Sequence, residues 1–177
     1  INLASAEGIR IREGLEAKEV AAQTEVGRST EAQNTEQIKN AWSSVIARPN
    51  LVRAIELMDL VKTGGFARAK LAATNLFGVT GANETELSNN LGKAVLSQLR
   101  ATFGAQFTER EGALLIGIEA NIGKSTAGNK KLLENALRLL DRTLERGIIA
   151  AERRGDVRTA DDLRKEKEFL LLVVLAQ

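Results

Sequence analysis

The sequence predicts an all-α protein, and three observations predict it. Hydrophobic residues make up 44% of the 177 residues but aromatics only 3%, with no Tyr, so the core must be built from Leu, Ile, Val and Ala. Such side chains suit closely approaching helices. A single proline, Pro49, leaves room for long uninterrupted helices. Apolar residues recur every three to four positions along most of the chain, the period of a helix face. The expected architecture is a bundle of about five to six helices over roughly residues 51–177, preceded by an N-terminal helical arm over residues 1–48.

The arm is rich in Ala, Glu, Gln and Thr and helical by propensity. Its apolar residues are sparse, and a thin apolar face packs weakly on its own core. Gly8, Gly14 and Gly27 weaken it further. The arm is therefore read as ordered mainly by a partner or partly mobile, with Ile11, Leu15, Val20, Val26 and Trp42 as candidate interface residues. An ordinary amphipathic helix docked on the domain is the competing reading, with Trp42, Val45 and Ile46 anchoring its far end. Arg48-Pro49-Asn50 marks the domain boundary, because the residue before a proline avoids helix. The helical domain is then residues 49–177.

Leu51 to Lys62 is apolar on most sides, with Arg53, Glu56 and Asp59 forming a narrow polar stripe, and Gly64-Gly65 ends it. Phe66 to Phe77 places Phe66, Ala69, Ala73 and Phe77 on one side. Asn83 and Glu86 form an N-cap pair for a helix to Phe103, with Leu87, Leu91, Val95, Leu99 and Phe103 at helical spacing and Gly104 closing it. Thr108 and Glu111 form a capping box for a helix to about Asn121. After a loop from Gly123 to Gly128, Asn129 to Arg154 lines Leu133, Leu137, Leu140, Leu144, Ile148 and Ala151 on one face. Gly155-Asp156 interrupts, and Thr159 is expected to cap a last helix to about Leu175. Its run from Phe169 to Ala176 reads as the end of a core helix, the alternative being a sticky edge that packs on a neighbour.

Composition removes several chemistries. There is no Cys and no His, which excludes disulfides, the usual zinc sites and any Ser–His or Cys–His triad. Acid–base work would fall to Asp, Glu or Lys with shifted pKa values. With 25 basic and 23 acidic residues the net charge is +2, which is not the footprint of a dedicated nucleic-acid binder. No cofactor and no small-molecule substrate are expected. Ile1 to Gly14 lacks the apolar stretch of a signal peptide, and the longest apolar run falls well short of the roughly 20 residues of a membrane span. The chain opens on Ile1, as a processed product or a piece of a longer protein would.

Three motifs mimic chemistry. Gly117 to Thr126 follows an apolar stretch and precedes a helix, like a phosphate-binding loop. Five residues separate Gly117 from Gly123-Lys124 where four are needed, and Ile118 stands at the required glycine. The plain reading is an interhelical loop whose Ser125, Thr126 or Asn129 caps the next helix. Arg154-Gly155-Asp156 is an adhesion tripeptide, but Gly155 serves as a helix terminator. Glu109, Glu111 and Glu119 could be paired carboxylates for glycoside cleavage, yet a sugar cleft wants stacking aromatics, and there is one Trp. The basic residues of the last third, among them Lys130, Arg138, Arg142, Arg146 and Arg154, are interleaved with Glu134, Asp141, Glu145 and Glu152 and read as i to i+4 pairs on a wet face.

From Leu99 to Gly112 the chain reads Leu-Arg-Ala-Thr-Phe-Gly-Ala-Gln-Phe-Thr-Glu-Arg-Glu-Gly. Phe103-Gly104, Phe107-Thr108-Glu109 and Glu111-Gly112, then Ala127-Gly128-Asn129-Lys130 and Gly155-Asp156 with Thr159-Ala160, resemble segments of virion structural and DNA-transfer (ejection) proteins of tailed bacteriophages. The likeness spans about residues 85–165 and carries over no catalytic residue. It implies a non-catalytic virion component that passes with the genome into the host envelope or cytoplasm. Its partners would be copies of itself and portal or tail components, with weak DNA or membrane contact as a secondary expectation. Two other readings stay open. One is an adaptor that engages a partner protein through residues 1–48. The other is an enzyme, a nucleotide hydrolase at Gly123-Lys124 or a cell-wall hydrolase using glutamates.

Overall fold

In a computed structural model, residues 6–103, 109–123 and 125–175 are described, with the side chains of residues 6–12, 14, 109–111, 119 and 170–175 outside that description. The described residues form six helices and no strand: α1 (Ala6–Lys62), α2 (Phe66–Phe77), α3 (Glu84–Phe103), α4 (Glu109–Asn121), α5 (Thr126–Arg153) and α6 (Val157–Leu175).

The spine is an antiparallel pair, α1 against α5. Its register follows from contacts spread along both helices. Glu31 pairs with Arg154 at 2.6 Å, Arg48 with Asp141 at 2.8 Å and Asp59 with Lys130 at 2.6 Å. Numbers rise along one helix as they fall along the other. Between these points the backbones come together at Ala41 and Gly147: a Cβ built on Gly147 would stand 2.1 Å from the Ala41 Cβ and 2.9 Å from the Gln37 carbonyl oxygen. Only glycine fits there. The buried positions on α1 near this crossing are Asn34, Asn40, Ala41, Ser44 and Ala47, opposite Thr143, Gly147, Ala150 and Ala151. Toward the other end the seam changes character. Leu51, Leu57, Met58 and Val61 share one buried cluster with Leu133, Leu139 and Leu140 of α5.

The expected break at Pro49 does not occur, and the boundary between residues 48 and 49 is corrected: α1 runs through it. A proline in a helix interior costs about 3 kcal/mol by removing one hydrogen bond and crowding the preceding turn. Pro49 is exposed, while Ala47 and Arg48 before it and Leu51 and Ala54 after it are all buried. Each buried leucine alone offsets roughly 1.5–3 kcal/mol. Packing on α5 therefore holds the turn helical. The expected arm packs on the body from Asn34 onward, and among the described residues its uncovered part ends near Gln33.

The remaining helices close around the large end of the seam. α1 stops in a left-handed turn at Gly64 (φ 87°), with the Gly65 N–H donating to the Leu60 carbonyl at 2.8 Å. This turns α2 back so that Ala69 and Ala73 are buried in the main cluster. Asn83 and Glu86 cap α3 as the sequence implies: the Glu86 N–H donates to Asn83 Oδ1 and the Ala82 N–H to Glu86 Oε2, both at 2.9 Å. All five residues of its expected stripe are buried. α4 contributes Leu115 and Ile118, and Ile122 just beyond it lies over Gly92, where an added Cβ would come within 2.6 Å of its Cδ1. Asn129, fully buried, ties three pieces together. Its Nδ2 donates to Ser88 Oγ (3.0 Å) and Asn89 Oδ1 (2.8 Å), and its Oδ1 accepts from the Gly123 N–H at 2.9 Å.

α5 ends at Gly155 (φ 70°), the Asp156 N–H reaching back to the Ala151 carbonyl at 2.9 Å. α6 then returns along α5, with Arg164 on Glu152 and Lys167 on Glu145. Leu163 joins Ala41, Leu144 and Ile148 in a second cluster at the small end of the seam. The cap of α6 is Asp156 rather than Thr159. An N-cap carboxylate accepts from the third residue of the helix, and the Thr159 N–H lies 3.1 Å from Asp156 Oδ1.

Two outcomes follow. Gly147→Ala should destabilise the fold by about 1–3 kcal/mol, because the helices must separate at the crossing. Thermal melting reads this at about 2–4 °C per kcal/mol for a chain of this size, and Ala41→Gly in the same chain should recover part of it. An unchanged melting temperature for Gly147→Ala would show the helices to be further apart. The Thr159 hydroxyl and then its backbone N–H hold the Asp156 carboxyl below the ordinary carboxylate range. Its contribution is thus present above the ordinary Asp pKa and lost as pH falls through the lowered folded value. Wild type should be more stable than Asp156→Ala at neutral pH, and the gap should close in acid; a gap independent of pH would contradict this.

Candidate interaction surface

Along α1, residue 13 and residues 15–33 are exposed, and among the described residues Asn34 is the first that is buried. The cause is the length of α5. Its end meets α1 at the Arg154–Glu31 pair, and beyond that point the described residues leave α1 uncovered. Helical periodicity shows which side is affected. Val26 stands about five turns before Ser44 and Leu15 about ten turns before Leu51. Ser44 and Leu51 are buried on the part of α1 that packs on α5. Leu15 and Val26, 63% and 64% exposed, therefore continue the α5-facing seam past the end of α5. Val20, 62% exposed, lies well round the helix from both. The Ile11 side chain lies outside the described residues.

Trp42 is half-buried and packs with Val45 against the cluster of Ala41, Leu144, Ile148 and Leu163, where it anchors the arm to the body. Ile46, expected beside it, is 69% exposed.

Two of the motifs that mimic chemistry have structural work. Gly123 in the loop and Gly128 in the first turn of α5, which opens at Thr126 rather than Asn129, direct their N–H groups to Asn129 Oδ1 and Ser125 Oγ, at 2.9 and 3.0 Å, so both amides are turned to the protein itself. Ser125, with extended backbone, is the N-cap of α5; Lys124 lies outside the described residues. Arg154-Gly155-Asp156 holds Glu31, ends α5 and caps α6. The side chains of Glu109, Glu111 and Glu119 and the whole of Gly104–Thr108 lie outside the described residues, so the middle of the resembling segment and the capping box at Thr108 do too. The end of the Phe169–Ala176 run is likewise outside them; Phe169 itself is 61% exposed. Among the described residues no group of three or more acidic side chains could hold a metal ion, and no helix is long and apolar enough to cross a membrane.

The wet-face reading of α5 is corrected in its pairing. Asp141, Glu145 and Glu152 reach across to Arg48, Lys167 and Arg164 on other helices. Lys130 meets Glu134 at i+4, at 3.7 Å, but its hydrogen bond to Asp59 on α1 is the main cause that raises its pKa. These carboxylates clamp α1 and α6 to α5. A groove of about 310 Å³ between α5 and α6 is lined by the same paired side chains with Ile148 and Ile149.

The sequence reading missed a second apolar surface. Leu71 and Leu76 of α2 are 65% and 52% exposed. A signal was available: Leu71 lies off the side formed by Phe66, Ala69, Ala73 and Phe77.

No family model, no curated protein and no solved structure matches the chain.

The two groups of arm residues should separate in a melting experiment run at dilution. Leu15→Asp with Val26→Asp should change stability by no more than about 0.5 kcal/mol, as exposed sites do. Trp42→Ala should cost about 2 kcal/mol, below the range for a fully buried aromatic. Equal losses would mean that the arm is packed along its whole length.

Proposed function

We propose that the chain is a non-catalytic virion protein of a tailed bacteriophage, an internal or ejection-type component that assists DNA transfer into the host by oligomeric helix packing. Its neighbours in this reading are copies of itself and portal or tail components, and it is delivered with the genome into the host envelope or cytoplasm. The observation that carries the assembly role is the uncovered seam, with Leu15 and Val26 presented on a helix that is clamped to the body below them. A rigid projecting stripe spares a partner much of the ordering cost of binding a mobile segment. The phage assignment is supported by the resemblance around Phe103 to Gly112. Seam residues such as Ala41, Ser44 and Gly147, with no disulfide anywhere in the chain, suit a component that must rearrange during transfer.

The same stripe supports a second reading, an adaptor that holds one partner helix on the arm. Immunoblotting of purified virions before and after DNA release separates the two. The expected result is that the chain is present in filled particles and depleted from emptied ones, and that Leu15→Asp with Val26→Asp folds but is not incorporated. Absence from filled particles would contradict the virion reading and leave the adaptor.

A further inference from the structure

Two surfaces of the molecule complement each other. The arm from Glu13 to Gln33 carries five glutamates against Lys18 and Arg28, a net charge of −3. Glu19 stands on the seam side, four residues after Leu15 and seven before Val26. A fully apolar helix laid on this stripe would bury that carboxylate without a partner, which is costly. The stretch from Leu60 to Asn83, which contains α2, is the opposite. It holds Lys62, Arg68 and Lys70, has no acidic residue, and so carries +3. Lys62 at the end of α1 and Arg68, Leu71 and Leu76 of α2 are exposed. One surface is apolar with negative charge, the other apolar with positive charge.

They cannot meet within one molecule. From Leu15 to Lys62 α1 runs about 70 Å, and it is clamped to α5 between Glu31 and Asp59. α2 is folded back on the far end of α1, with Ala69 and Ala73 buried in the main cluster. Two arms laid on each other would bring like charge together. We infer that the arm of one copy docks on the outer side of α2 of a second copy, head to tail. Leu15 and Val26 pack against Leu71 and Leu76, while Glu19 and Glu25 face Lys62 and Arg68. This rests on the assembly reading above, in which the partner is another copy. The two patches differ, so the contact is heterologous and repeats from copy to copy, closing into a ring or running on as a filament.

Sedimentation velocity of the full chain over a range of concentration and salt tests it, with two charge-reversed variants at exposed positions. One carries Glu19→Lys and Glu25→Lys, the other Lys62→Glu and Arg68→Glu; circular dichroism checks that each is folded. Wild type should form larger species that added salt weakens. Each variant alone should associate at least about tenfold more weakly, and an equimolar mixture should restore assembly, because each reversed patch then finds its complement. Variants that assemble as wild type does, or a mixture that stays monomeric, would overturn the proposed contact while leaving assembly through another surface standing. A wild-type chain that is monomeric throughout would overturn both.

Discussion

Everything in this molecule depends on how closely α1 and α5 approach at Ala41 and Gly147. With a side chain on Gly147 the helices would have to part by an ångström or more, and the clamps on either side would be stretched. Those clamps are Glu31–Arg154, Arg48–Asp141 and Asp59–Lys130. Their combined effect exceeds their individual worth as partly exposed ion pairs, each about 0–1 kcal/mol in isolation, because together they admit one register. The glycine sets the separation and the charges set the alignment. The leucines at the other end of the seam supply most of the apolar burial, and α3 and α2 close over them.

The seam also explains why a helix with so thin an apolar face stands out from the body. α1 is longer than α5, so it continues as helix past the part that is gripped. Gly27 meets nothing within 4 Å, and the intrinsic cost of a glycine in a helix, about 1 kcal/mol, is borne by the good helix formers around it. In the proposed assembly role, the excess length supplies the uncovered stripe and the gripped part sets where it points.

Local signals in the sequence carried the parts of the fold governed by local physics. The Phe66–Phe77 helix, the cap at Asn83–Glu86 and the stops at Gly64 and Gly155 are each set by residues within a turn of one another, and they stand where the sequence puts them; the cap of α5 is Ser125, one of three candidates, and its helix opens at Thr126 rather than Asn129. The stripe from Leu87 to Phe103 was legible because its period survives without interruption. The misreadings share one cause. Pro49 is a breaker by local rules, and only the burial of Arg48 and Leu51 on a helix some ninety residues away keeps α1 whole. Asp141, Glu145 and Glu152 look like i to i+4 partners until the fold offers Arg48, Lys167 and Arg164. Of the candidate surface, Leu15 and Val26 were picked out by their isolation. The basic side of α2 was passed over, because three cations in a stretch without acids look unremarkable until their distance from an acidic arm is known.

The central claim is that α1 is one rigid helix whose N-terminal part projects in line with the seam. The chain has no cysteine, so spin labels on Val20→Cys and Ile46→Cys, both exposed positions, can be placed without interference. Pulsed electron–electron resonance at dilution should return a narrow distance distribution centred near about 39 Å, the rise of a continuous helix over that interval, widened only by the label linkers. A broad distribution, or one centred well short of that distance, would mean that the arm bends or folds back, and the account would fail at its base.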